Sequence, residues 1–209
     1  MALVDRLRLM VITDAALLKG RGRDPVEACR QAVAGGATMV QARLKDGTAR
    51  DLLALARALV SALPVPVIVN DRVDVALVAG AAGAHLGQED PPLDRLRPHV
   101  PPGFLLGLSV GSAGEAERGR PWRADYWSIG PCYATGSKAD AGAALGPEGF
   151  AALARLAPPA TPVIAVGGIT AANAGALRRA GAAGVAVIGA VWNASDPAHA
   201  ARALRASTA

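Results

Sequence analysis

The sequence predicts an α/β protein folded as a single (β/α)8 barrel, the TIM-barrel architecture, spanning residues 1–209 as one domain. Three observations carry this expectation. Eight short apolar runs recur along the chain, each followed by a helical pattern, and their ends fall at residues 14, 43, 71, 88, 109, 131, 167 and 189. That regularity favours a closed barrel over a doubly wound open sheet. The runs are apolar without alternation, as strands of a parallel sheet covered by helices must be. Finally, a hydrophobic content of 52% against 19% charged residues is enough to fill one core and argues against disorder.

Taken in order, Leu9, Met10, Val11 and Ile12 form the first strand, ending in Thr13 and Asp14. Asp24, Pro25 and Glu27 then open a helix with a capping carboxylate, a proline at the first helical position and an acid in the first turn. Gly35 and Gly36 close it. A second strand over 37–41 leads into Ala42, Arg43, Leu44, Lys45 and Asp46. Thr48 with Asp51 starts the next helix, whose Leu52, Leu55, Leu59 and Leu63 lie at helical spacing. Residues 69–90, VNDRVDVALVAGAAGAHLGQED, organise the rest. Two strands end there, in Asn70-Asp71 and in Gly87-Gln88-Glu89-Asp90, around a helix over 73–79. Further on, a short helix is expected within 93–97, a strand over 104–109 and a brief helix over 112–118. The sixth strand, 125–129, runs into Gly130-Pro131, and 132–146 reads as the longest loop and a candidate lid. A helix over 150–156, a strand over 162–166, a helix capped by Thr170 and stopping at Gly181, a strand over 184–188 and a helix over 197–204 complete the pattern.

Barrel enzymes gather their chemistry at the C-terminal ends of the strands. In this chain those ends carry Gln41, Arg43, Lys45, Asn70, Asp71, His85, Gln88, Asp90, Ser109, Thr135, Ser137, Lys138, Gly167, Gly168 and Gly189. Two carboxylates on neighbouring strand ends suit a hard divalent cation facing an anionic ligand, although each would equally serve as a helix cap. Arg43 and Lys45 suit a charged substrate or a solvated loop. His85 on its apolar strand reads first as a core histidine. Gly167, Gly168 and Gly189 suit either tight turns or backbone amides approaching a phosphate.

A formal charge of +5 fits an anionic ligand. With 3% aromatic residues and no basic block, base-stacking nucleic-acid modules are disfavoured and small phosphorylated substrates preferred. Cys29 and Cys132 form no close pair, so inert buried thiols are expected rather than a disulfide. Charges interrupt every apolar run before it reaches membrane-spanning length, and no signal-peptide core is seen, which leads to the expectation of a cytoplasmic protein. The oligomeric state is not legible.

The series Val11-Ile12-Thr13-Asp14, Gln41-Ala42-Arg43-Leu44-Lys45, Asn70-Asp71-Arg72, His85 through Asp90, Gly130-Pro131, Thr135-Gly136-Ser137-Lys138 and Val166-Gly167-Gly168-Ile169 resembles the thiamine-phosphate synthase family over nearly the whole chain. The resemblance implies a transferase that joins 4-amino-2-methyl-5-hydroxymethylpyrimidine diphosphate to a thiazole phosphate (or its carboxylate), with release of pyrophosphate. It implies Mg²⁺ held by Asp71 and Asp90. Gln41, Arg43, Lys45, Asn70, Ser109 and Lys138 would bind the pyrimidine diphosphate, with Arg43, Lys45, Ser109 and Lys138 acting in catalysis. Thr135, Ser137, Gly167, Gly168, Ile188 and Gly189 would hold the thiazole phosphate.

Three positions depart from the family pattern. Leu44 stands where an acid is common, Gly111 lies in a stretch that usually includes a histidine, and Gly189 replaces a frequent serine. Other readings are a thiazole tautomerase of the same barrel group, a branch that tends to lose the paired Asp residues, and a non-catalytic thiamine-phosphate binder. A Schiff-base aldolase using Lys45 or Lys138 is disfavoured, because both sit in polar loops rather than in an apolar strand that would depress a lysine pKa.

Overall fold

In the computed structural model, which describes residues 2–136 and 143–208, eight parallel strands close into a barrel in chain order. The elements are α1 (Leu3–Arg6), β1 (Leu9–Ile12), α2 (Ala15–Gly20), α3 (Pro25–Ala34), β2 (Met39–Ala42), α4 (Ala49–Ala62), β3 (Val67–Asn70), α5 (Val73–Ala79) and β4 (Gly83–Leu86). They continue with α6 (Leu93–Leu96), β5 (Leu105–Val110), α7 (Ala113–Gly119), β6 (Tyr126–Ile129), α8 (Gly146–Ala154), β7 (Val163–Val166), α9 (Ala174–Arg179), β8 (Gly184–Val187), α10 (Gly189–Trp192) and α11 (Pro197–Ser207). Pairing of β1 with β8, Leu9 opposite Val185, closes the ring and removes the open-sheet alternative.

Side chains alternate across each strand and so build two shells. Met10, Ile12, Met39, Ile68, Tyr126, Ile164 and Ala186 point inward and fill the barrel. Val11, Val40, Val69, Leu86, Leu108, Trp127 and Val185 point outward beneath the helices. Both shells are apolar, which is why the strands read as unalternating. Leu7, fully buried, and Leu3 join the interior cluster ahead of β1 and so seal the N-terminal end. The other end is left to polar groups.

Side-chain caps start five of these helices, α2, α3, α4, α7 and α11. Asp24 accepts the Glu27 N–H at 2.9 Å to start α3. Thr48 and Asp51 form a reciprocal capping box on α4. The expected cap on Thr170 is not found: Thr170 donates its backbone N–H to Asn173 Oδ1 at 2.8 Å, and α9 begins one turn later, after Asn173. Three further helices were not anticipated: α1 ahead of β1, α2 after β1 and α10 directly after β8. The Trp192 indole donates to Ile12 O at 2.6 Å and Arg23 donates to Trp192 O at 3.1 Å, so tertiary bonds anchor α10. Among the described residues, no helix is long and apolar enough to cross a membrane.

Candidate active site

Thr13 fixes the first part of the rim. Its hydroxyl donates to Arg43 O and accepts the Arg43 N–H, both at 2.8 Å, which pins the start of the loop after β2 against the end of β1. Gln41, two residues earlier, is buried with its amide 3.7 Å from Met10 Sδ, and both line the barrel mouth.

Neither carboxylate of the organising stretch caps a helix. Asp71 adopts a left-handed backbone at φ 62°, its N–H donates to His85 O at 2.8 Å, and its Oδ2 accepts the Asn70 amide at 2.6 Å. The helix after it has Arg72 at its N-cap, with no side-chain bond. Left-handed φ is uncommon outside glycine, though aspartate tolerates it better than most, and such outliers cluster at functional sites. Asp90 Oδ2 accepts the Gly87 N–H at 2.8 Å, closing a turn before α6, whose N-cap is Pro92. Gln88 bridges to β5 by donating to Ser109 O at 2.8 Å. β3 and β4 are neighbours, Asn70 opposite His85, so the two carboxylates lie on adjacent loops of one rim.

The rim from β6 to β8 is built differently. Cys132 N–H donates to Val166 O at 2.8 Å and Tyr133 N–H to Gly167 O at 3.0 Å, laying the chain after β6 along the end of β7. Gly167 and Gly168 have φ of 94° and 62°. A Cβ on Gly168 would lie 2.5 Å from Ala134 O, and one on Gly167 2.8 Å from Pro131 Cα. Only glycine fits this pair of positions. Asn173 secures the turn by donating to Gly168 O at 3.0 Å.

Both halves face one cavity of about 860 Å³. It is lined by Gln41, Arg43, Asn70, Ser109, Thr135, Gly167, Gly168, Ile188 and Gly189, nine of the residues singled out from sequence. Lys45 instead lines a second cavity of about 660 Å³, which shares Arg43, Gly136, Gly189 and Asn193 with the first. Lys45 is exposed, which removes the burial a Schiff-base lysine needs. Asp71 and Asp90 line neither cavity, and sit on the outer loops. Ser137 and Lys138, and residues 137–142 of the expected lid, lie outside the described residues. Among the described residues there is no cluster of three or more His, Cys, Asp or Glu side chains that could cage a metal alone.

Glu115 and Asn193, not singled out from sequence, also face the cavity. Glu115 lines it, with Oε2 accepting the Gly111 N–H at 2.6 Å. Asn193 follows α10 and lines both cavities. His85 is buried as expected of a core histidine, yet it too lines the cavity. Its Nε2 lies 2.9 Å from Ser109 Oγ and its Nδ1 2.8 Å from the Tyr126 hydroxyl. Complete burial, with the nearby Asp125 charge, pushes the Tyr126 phenol upward, so it stays protonated. Only the register of β4, β5 and β6 brings these groups together, and sequence alone does not give that register.

Comparison with known proteins yields a consistent set. The family model described as thiamine monophosphate synthase matches residues 9–191. The thiamine-phosphate synthase of Methanoculleus marisnigri is 48% identical over 201 residues, covering 94% of this chain and 93% of its own. That of Azorhizobium caulinodans is 44% identical over 202 residues, covering 95% and 93%. Among solved structures, a thiamine phosphate pyrophosphorylase from Pyrococcus furiosus superposes with a TM-score of 0.86 at 34% identity, covering 99% of this chain and 98% of that one. A 3-hexulose-6-phosphate synthase, with a TM-score of 0.71 at 19% identity, shares the fold alone.

Proposed function

The chain belongs to the thiamine-phosphate synthase family, a transferase family, and from that premise we propose how its rim performs the reaction. The substrates are 4-amino-2-methyl-5-hydroxymethylpyrimidine diphosphate and 4-methyl-5-(2-phosphoethyl)thiazole or its carboxylate. The observation that carries the reading is the division of one cavity between a side-chain half and a glycine half. Two phosphorylated substrates need two anion sites, and a cavity of about 860 Å³ falls in the range that encloses small ligands.

In this reading Gln41, Arg43, Lys45, Asn70, Ser109 and Lys138 bind the pyrimidine diphosphate. Thr135, Ser137, Gly167, Gly168, Ile188 and Gly189 hold the thiazole phosphate. Glycines admit the anion to the backbone amides, and the loops after β7 and β8 are where barrels commonly bind phosphate. The bond from the pyrimidine methylene carbon to the diphosphate oxygen breaks, and its electron pair leaves with pyrophosphate. The aminopyrimidine spreads the positive charge left behind. The thiazole nitrogen then donates its lone pair to form the new C–N bond, and because that nitrogen carries no proton, no general base is required. Arg43, Lys45 and Lys138 stabilise the charge gathering on the departing pyrophosphate, and the rim positions the two reactants.

The donor set fits Mg²⁺. Asp71 and Asp90 supply hard oxygens on adjacent loops, Asn70 orients Asp71, and Mg²⁺ is ordinarily held by one or two carboxylates plus substrate phosphates rather than by a protein cage. When bound, the ion would neutralise charge on the diphosphate. Retention of both carboxylates, with Arg43 and Lys45, favours synthesis over the tautomerase and binder readings. The test is pyrophosphate release measured with both substrates, with each alone, and with EDTA. Release that requires both substrates and stops with EDTA is the expected result. A folded protein that releases none would overturn the reading.

A further inference from the structure

We propose that Tyr126 and His85 are positioning residues that set the polarity of the Ser109 hydroxyl, making it a hydrogen-bond donor toward an anionic oxygen in the cavity. The argument begins at Gly107. In the register of the barrel Gly107 lies between His85 and Tyr126, and a Cβ there would run into the Tyr126 ring and come within 2.5 Å of His85 Nδ1. The gap at Gly107 lets the two rings meet inside the barrel, with centroids 5.4 Å apart and planes inclined by 28°.

Tyr126 is fully buried, and its hydroxyl pairs with His85 Nδ1 at 2.8 Å. A phenol in that position has two ways to pair. If it accepts a proton from Nδ1, its own O–H is stranded in an apolar interior. If it donates to Nδ1, only lone pairs go unused, which costs less. Burial keeps the phenol protonated, so it retains the proton that it donates. His85 is thereby held with a bare Nδ1 and a proton on Nε2. Nε2–H then donates to Ser109 Oγ at 2.9 Å. With a lone pair engaged, Ser109 turns its own proton toward the cavity it lines. The opposite tautomer would draw that proton back to Nε2 and present only a lone pair to an anion. A chain of three groups, begun by a tyrosine remote from solvent, thus decides whether the rim attracts or repels a diphosphate oxygen.

This inference rests on the assignment of Ser109 to the pyrimidine diphosphate site, and the experiment separates the two. Imidazole nitrogen shifts in ¹⁵N-labelled wild-type protein report the tautomer directly, with the exposed His99 and His199 as references. Protonated Nε2 and bare Nδ1 at His85 are expected, and a protonated Nδ1 overturns the proposal before any variant is made. Tyr126→Phe keeps the ring and removes the donor. It should release the fixed tautomer and weaken binding of inorganic pyrophosphate, with Mg²⁺ present, about tenfold. In a Ser109→Ala background, Tyr126→Phe should add no further loss, because the proposed effect reaches the anion through the Ser109 hydroxyl. If Ser109→Ala weakens pyrophosphate and Tyr126→Phe does not, the relay is overturned while the Ser109 assignment stands. If Ser109→Ala binds pyrophosphate as wild type does, that assignment falls and the relay with it.

Discussion

The half of the rim on β2 to β5 and the half on β6 to β8 face one cavity with different materials. The first presents side chains: Gln41, Arg43, Asn70 and Ser109 line the cavity, with Asp71 and Asp90 on the loops beyond. The second presents backbone, with Gly167 and Gly168 in conformations that exclude a Cβ. A side-chain site fails when an atom is removed. A backbone site fails when one is added. The two halves therefore respond to opposite kinds of mutation, and each should fail toward its own substrate.

The largest effect is expected at Asp71. Asp71→Asn keeps the residue size and the tolerance for φ 62° but removes the charge. Turnover should fall at least about a hundredfold, some 2.7 kcal/mol, with the melting temperature nearly unchanged. An intermediate effect is expected across the cavity. Gly168→Ala pushes a Cβ against Ala134 O and Tyr133 Cβ, and should raise KM for the thiazole phosphate by roughly tenfold while leaving that for the pyrimidine diphosphate within about twofold. A small effect is expected at Gly189, whose backbone is not left-handed and whose added Cβ would meet the mobile end of Asn193 at 3.1 Å. Gly189→Ser should fold normally and lower KM for the thiazole phosphate by no more than about threefold, by offering a hydroxyl.

The smallest effect is expected at the thiols. Burial, aided at Cys29 by the Asp24 charge, pushes Cys29 and Cys132 up to about 12. Both should resist alkylation of native protein near about pH 8 and react once it is unfolded. The unfolded chain releases these protons near 9, whereas the folded one holds them to about 12. Their contribution to stability is therefore present below 9 and fades as pH rises above it. Cys132 lies within the glycine half, so its inertness would show that its thiol takes no part in that half's chemistry.

Much of this architecture was legible because punctuation and hydrophobic pattern agree. The helix expected over 73–79 is α5 residue for residue, with Arg72 at its N-cap and Gly80 in a left-handed cap after it. The box of Thr48 and Asp51 was equally plain. Helices α2 and α10 escaped notice because six and four residues carry too little periodicity, and because α10 owes its place to Trp192 and Arg23, whose partners are remote in sequence. Thr170 misled because Asn173, three residues later, also competes for the turn. At the site, residue identity pointed to a charged rim, but only backbone geometry shows that Asp71 and Asp90 cap no helix. The triad of Tyr126, His85 and Ser109 needed strand register as well.

The most direct test of the two-sided site is a crossed titration. Steady-state rates would be measured for wild type, Asp71→Asn and Gly168→Ala while each substrate is varied against saturating amounts of the other. The account predicts that the Asp71 variant is impaired in using the pyrimidine diphosphate, with the KM for thiazole phosphate unmoved, and that the Gly168 variant shows the reverse. Equal loss toward both substrates in both variants would contradict it.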